Sequence, residues 1–82
     1  MPGLEVPVIV PNVEGMRGEA ATVVRWLKKE GEEVRAGEPL VLLEFPKVEL
    51  EVPAPASGRL SRIITGEGHM VRIHDTVGSV QT

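Results

Sequence analysis

Short apolar runs separated by glycine, proline and charged residues recur along the whole chain. This spacing is typical of many short strands in a small sandwich or barrel, and it predicts an all-β fold without a helix. The cleanest run has Val48, Leu50 and Val52 alternating with Glu49 and Glu51, the period of two expected for a strand with one solvated face. The predicted strands cover residues 5–10, 20–27, 39–45, 48–52, 58–64, 70–73 and 76–80.

The chain also repeats itself internally. When the sequence is shifted by 37 positions, the apolar residues of the two halves coincide and five residues are identical: Arg25/Arg62, Glu30/Glu67, Gly31/Gly68, Val34/Val71 and Arg35/Arg72. A repeat of strand, turn and strand indicates two similar structural halves. We therefore predict a β architecture with internal quasi-two-fold symmetry.

Two predicted strands meet at Pro46 and Lys47. Proline is favoured at the second position of a tight turn, and a type I turn accepts lysine at the third, so we expect a hairpin that holds the lysine amine in water. A surface lysine on a turn is usually only a solubilising charge. In the repeat, however, Glu44 beside the hairpin corresponds to Gln81 near the C-terminus. A two-fold arrangement places equivalent positions at opposite ends of the domain, so we expect both chain ends to lie far from this amine.

Composition narrows the class of function. The 82 residues are enough for one domain, residues 1–82, with a small core that Trp26 is expected to help fill. The net charge of −3 is not gathered into runs, which favours protein partners over nucleic acid or a membrane. His69 and His74, without cysteine, do not suggest a metal site, and His74 falls on Gly37 in the repeat, where a positive φ is plausible. We expect a soluble intracellular protein without catalytic activity.

One long segment resembles a known family. Residues 40–58, with the sequence LVLLEFPKVELEVPAPASG, resemble the attachment hairpin of the lipoyl domain in the dihydrolipoyl acyltransferase (E2) component of 2-oxo acid dehydrogenase complexes. Weaker matches extend the resemblance over nearly the whole chain, at residues 10–11, 26–31 and 37–40.

The resemblance implies a flattened β-barrel or sandwich of two four-stranded antiparallel sheets. Lys47 would carry lipoic acid through an amide bond, with Phe45, Pro46 and Val48 forming the flanking turn. The domain would be a swinging-arm carrier, because the cofactor supplies the chemistry and the protein presents it. It would take acyl groups from a thiamine-diphosphate 2-oxo acid decarboxylase to an acyltransferase core and return to dihydrolipoyl dehydrogenase for reoxidation. The implied location is the cytoplasm, or the mitochondrial matrix in a eukaryote.

The same resemblance indicates which residues partner proteins and the lipoylating enzyme would contact. The irregular segment 11–18 corresponds to a loop that lies beside the modified lysine in lipoyl domains. The candidate contacts are Asn12, Glu14, Met16, Arg17 and Glu44. Pro46 stands where the family usually has an acidic residue, and Phe45 stands where threonine is common. Phe45 is either the last core residue of its strand or a contact for the lipoyl arm or a partner.

Two alternatives remain open. Biotin carrier domains share the fold, but they normally flank their lysine with methionine on both sides, where this chain has Pro46 and Val48. The second alternative is an unmodified β module that acts as a docking or scaffold domain.

Overall fold

The computed structural model describes residues 3–82, so Met1 and Pro2 of the predicted 1–82 domain lie outside the described part. It contains eight strands: β1 Glu5–Ile9, β2 Ala20–Trp26, β3 Glu33–Val34, β4 Pro39–Phe45, β5 Val48–Pro53, β6 Gly58–Ile63, β7 Met70–Arg72 and β8 Thr76–Gln81. All seven predicted strands are present, and their ends agree within one residue. Strand β3 was not predicted from the sequence, because two residues in a charged stretch are too few to show alternation.

The strands form two four-stranded sheets, in the orders β1-β8-β6-β3 and β5-β4-β2-β7. Every pair of neighbouring strands is antiparallel. The sheets share no strand, so the architecture is a flattened sandwich rather than a closed barrel. The predicted fold class is confirmed.

The internal repeat is visible in the topology. A shift of 37 residues carries β2, β3 and β4 onto β6, β7 and β8, and β1 takes the place of β5. The irregularity in the β2–β4 ladder between Val23 and Arg25 recurs in the β6–β8 ladder between Leu60 and Arg62. Each sheet contains strands from both halves, so the two halves fold as one interlocked unit.

Two glutamates connect the halves in the same way. The backbone N–H of Ile63 donates to Glu30 Oε2 at 2.7 Å, and the N–H of Trp26 donates to Glu67 Oε2 at 3.1 Å. Both amides follow an irregular step in their ladders, where regular pairing is interrupted. The occurrence of glutamate at these two equivalent positions of the repeat therefore has a structural cause, since each glutamate accepts a hydrogen bond from a backbone amide in the opposite half.

The core is made almost entirely of valine and leucine side chains from the inner faces of both sheets. Trp26 lies at its margin rather than inside it, which corrects the expectation that it fills the core. Its side chain is half-buried, and the indole Nε1–H donates to the carbonyl of Thr65 at 2.8 Å. An indole N–H needs such an acceptor, which explains its position at the edge.

Candidate functional site

Lys47 lies at the tip of the hairpin between β4 and β5. Phe45 pairs with Val48, which leaves Pro46 and Lys47 as the two turn residues. The φ angle of Lys47 is +70°, while the pyrrolidine ring holds φ of Pro46 near −65°. A negative followed by a positive φ belongs to a type II turn, so the predicted type I turn was wrong. Proline suits the second position of both types, and the sequence therefore did not distinguish them.

The positive φ of Lys47 has an energetic cost. Type II turns favour glycine or asparagine at this position, because a Cβ in the left-handed region costs about 1–2 kcal/mol. Among residues 3–82, six other positions have a positive φ: five are glycines, and the sixth is His74, with φ of +75° as expected from the repeat. Non-glycine residues in strained conformations cluster at functional sites.

Phe45 anchors the hairpin in the core. Only 1% of its surface is exposed, so the interpretation as the last core residue of the strand is correct. The neighbouring side chains of Glu44, Pro46 and Val48 are exposed. The chain is thus held immediately before the turn, while the turn itself stands in solvent.

The side chain of Lys47 is exposed. Within residues 3–82, the one salt bridge joins Lys28 to Glu38, and no side-chain hydrogen bond involves the Lys47 amine. Glu44, on β4 before the turn, lies directly opposite Glu49 on β5. The arrangement therefore presents an exposed primary amine at the tip of a defined turn.

A groove of about 370 Å³ begins at this lysine. Ala20, Thr22 and Met70 line it together with residues of the hairpin. Ala20, Thr22 and Met70 were not predicted from the sequence, because only the pairing of β7 with β2 and of β2 with β4 brings them to the lysine.

The loop before β2 contains most of the predicted recognition residues. Asn12, Glu14 and Arg17 are exposed, whereas Met16 is half-buried and packs against the core with Val13. Asn12 and Arg17 line a second groove of about 520 Å³ together with Arg72. This second groove adjoins the groove at Lys47. Ala20, which lines the groove at Lys47, follows Glu19 in the sequence and pairs with Arg72 across β2 and β7, and Glu19 and Arg72 both line the second groove. The structure thus brings the loop and the hairpin to one end of the second sheet.

Leu4 and Thr82, near the two ends of the described residues, lie at the other end of the sandwich. Thr82 N–H donates to the carbonyl of Leu4 at 2.9 Å, and Gly58, at the start of β6, lies against the backbone of Gln81 and Thr82. The hairpin is separated from this end by the length of β5, about 17 Å for six residues of antiparallel strand. A linker attached at either terminus would therefore leave Lys47 accessible.

Other candidate sites are weaker. Among the described residues, no group of three or more His, Asp or Glu side chains could hold a metal ion. That part of the chain also has no helix long and apolar enough to cross a membrane.

Comparison with known proteins identifies the family. The family described as "Biotin-requiring enzyme", the biotin–lipoyl family, matches residues 7–80. The solution structure of the lipoyl domain of the 2-oxoglutarate dehydrogenase complex from Azotobacter vinelandii covers 100% of this chain and 96% of its own, with 30% identity and a TM-score of 0.63. The chain belongs to the biotin–lipoyl family as a lipoyl domain. The resemblance recognised in the hairpin sequence is confirmed.

The curated relatives are much longer than this chain. The dihydrolipoyllysine-residue succinyltransferase component of the 2-oxoglutarate dehydrogenase complex from Bartonella vinsonii subsp. berkhoffii is 49% identical over 61 residues. The match includes 74% of this chain, which spans only 15% of that relative.

The fold is also found in carboxylases. A single-chain, multi-domain long-chain acyl-CoA carboxylase gives a higher TM-score, 0.77, at 27% identity, over 94% of this chain and 7% of that one. The higher TM-score measures backbone similarity within a shared fold. Only side chains distinguish lipoyl carriers from biotin carriers. The hairpin sequence and the end-to-end match with the Azotobacter lipoyl domain both favour the lipoyl carrier.

Proposed function

We propose that this lipoyl domain carries lipoic acid on Lys47 and acts as a swinging-arm acyl and electron carrier of a 2-oxo acid dehydrogenase complex. The observation that carries this proposal is the exposed amine of Lys47 in the left-handed position of a type II turn. A solubilising charge would not require a lysine where glycine is favoured. Phe45, buried beside it, keeps the turn in a defined position on the sandwich.

The residues present fit the cofactor. An amide bond from Lys47 Nζ to the lipoyl carboxyl group needs an accessible amine, and the groove at the hairpin leaves room for an aliphatic arm. The bound group would supply a dithiolane that accepts acyl groups and electrons, and the domain would supply position and mobility.

The proposed partners follow from this role. They are a lipoylating enzyme, a thiamine-diphosphate 2-oxo acid decarboxylase, an acyltransferase core and dihydrolipoyl dehydrogenase. Asn12, Glu14, Arg17 and Glu44 are exposed at the lysine end and are available for these contacts. We propose no catalytic role for the domain itself. Its grouped hydroxyls, Ser61 and Ser79, both reach Glu5 Oε1 and have a structural explanation in joining β6, β8 and β1.

The proposal is tested by co-expressing the chain with a lipoylating enzyme and, in parallel, with a biotin ligase. We expect the intact mass to increase by one lipoyl group in the first culture and to remain unchanged in the second. Lys47→Arg keeps the positive charge but cannot form the amide, so its mass should not change in either culture. Biotin incorporation without lipoylation would favour the carboxyl carrier, and no modification in either culture would favour an unmodified docking module.

A further inference from the structure

The two ends of the sandwich share a backbone path but differ in their side chains. At the lysine end, the outer face of the sheet has Met70, Thr22 and Glu44 paired in a row across β7, β2 and β4. The quasi-two-fold axis places Glu33, Arg59 and Gln81 at the corresponding positions of β3, β6 and β8. The same backbone therefore carries a charged row at one end and a row with an apolar edge at the other.

This difference creates the groove beside Lys47. Ala20 and Thr22 are small and form its floor on the central strand β2, while Met70 on one side and the hairpin on the other form its walls. Two residues apart on a strand, Ala20 and Thr22 are about 7 Å from each other. At the opposite end, the long side chain of Arg59 occupies the position of Thr22 and donates from Nη1 to the carbonyl of Gly31 at 2.8 Å.

Met70 has no structural reason to be apolar. It is 65% exposed on the edge strand β7, where natural sheets usually have charged residues that prevent pairing with other chains. Its two-fold equivalent, Glu33, follows that rule. A flexible thioether with a polarizable sulfur adapts well to an aliphatic or sulfur-containing ligand.

We propose that this groove is a docking site for the lipoyl arm carried on Lys47, with Ala20 and Thr22 beneath the alkyl chain and Met70 against the dithiolane end. The inference rests on the proposed function, since it requires the arm. Lys47 itself lines the groove, so the arm is tethered at its mouth. A tether raises the effective concentration of a ligand to the millimolar range, which allows a weak apolar contact to be populated.

The test uses the 82-residue chain with ¹³C-labelled methionine methyl groups, lipoylated and then verified by intact mass. We expect lipoylation to shift the Met70 methyl resonance and to produce nuclear Overhauser effects between this methyl and the arm methylenes. Met16 lies near the hairpin but is half-buried against the core and outside the groove, so its methyl should shift much less than that of Met70 and show no Overhauser contact with the arm. Thr22→Arg, which copies the other half of the molecule, should abolish most of the Overhauser intensity. Ile64→Ser, at an exposed apolar residue outside the groove, should leave it unchanged.

The outcomes separate the two proposals. A fully lipoylated protein whose Met70 methyl neither shifts nor contacts the arm would overturn the docking site and leave the carrier function intact. Persistence of the contacts in a folded Thr22→Arg variant would also overturn it. If that variant does not fold, the comparison of the lipoylated and unmodified wild-type proteins decides the question alone. A mass spectrum without the lipoyl group would overturn both proposals.

Discussion

At the scale of the residue, the φ of +70° at Lys47 predicts a measurable strain. Lys47→Gly should be more stable than Lys47→Ala by about 0.5–1 kcal/mol, because relief of a left-handed Cβ exceeds the added freedom of glycine in the unfolded chain. Urea denaturation of the two variants gives this difference. Val48 lies outside the positive-φ residues and is the matched control, where the order of alanine and glycine should reverse. Equal stability of the two Lys47 variants would contradict the strained turn.

The limits of the sequence are also clearest at single residues. The hairpin and its exposed lysine follow from Pro46 and the flanking strands, but the backbone angle of Lys47 does not, because proline fits two turn types. The burial of Phe45 depends on the opposite sheet, which no local pattern describes. His74 was more predictable, since its register with Gly37 indicated a positive φ.

At the scale of the element, the reciprocal bonds of Glu30 and Glu67 predict similar losses from two distant positions in the chain. Glu30→Ala and Glu67→Ala should each destabilise the fold by about 1 kcal/mol, because each leaves a backbone N–H without its carboxylate acceptor. Thermal unfolding measures both. Glu49→Ala is the control, and it should be neutral or slightly stabilising, since Glu49 lies directly opposite Glu44 and like charges repel there. A neutral result at either Glu30 or Glu67 would contradict the reciprocal role.

The turn between β3 and β4 predicts a dependence on pH. The hydrogen bond from Arg35 N–H, and then the contact with Lys28, lower the pKa of Glu38 from its ordinary 4.5. A depressed pKa in the folded state adds stability above pH 4.5 that is lost as the pH falls through the folded value. Glu38→Gln should therefore unfold more easily than wild type at neutral pH, and the difference should shrink in acid. Urea titrations at several pH values measure it, and a difference that grows in acid would contradict the assigned direction.

Elements were predictable in proportion to their length. Apolar runs bounded by turn residues identified seven strands within one residue at each end, but β3 has only Glu33 and Val34 and forms no such run. The groove beside Lys47 needs the pairing of β2 with β7, whose paired residues lie 48 to 52 positions apart in the sequence. One signal was nevertheless present in the sequence, because the repeat places Thr22 on Arg59 and Met70 on Glu33, a loss of charge in one half only.

At the scale of the whole molecule, the fold separates attachment from presentation. Leu4 and Thr82 lie together beside β6, and the hairpin of Lys47 lies beyond the far end of β5. This arrangement would leave the lysine unobstructed if the domain were attached to another segment through Thr82. Because the two halves interlock in both sheets, the end that contains Thr82 and the end that contains Lys47 belong to one folded unit.

The most direct test of the account is the location of the modification in protein lipoylated in cells. The chain has three lysines, Lys28, Lys29 and Lys47, and cleavage after glutamate releases residues 45–49 as a peptide with Lys47 alone. We predict that tandem mass spectrometry finds one lipoyl group on this peptide and none on the peptide that contains Lys28 and Lys29. A lipoyl group on Lys28 or Lys29, or biotin on the 45–49 peptide, would contradict the account.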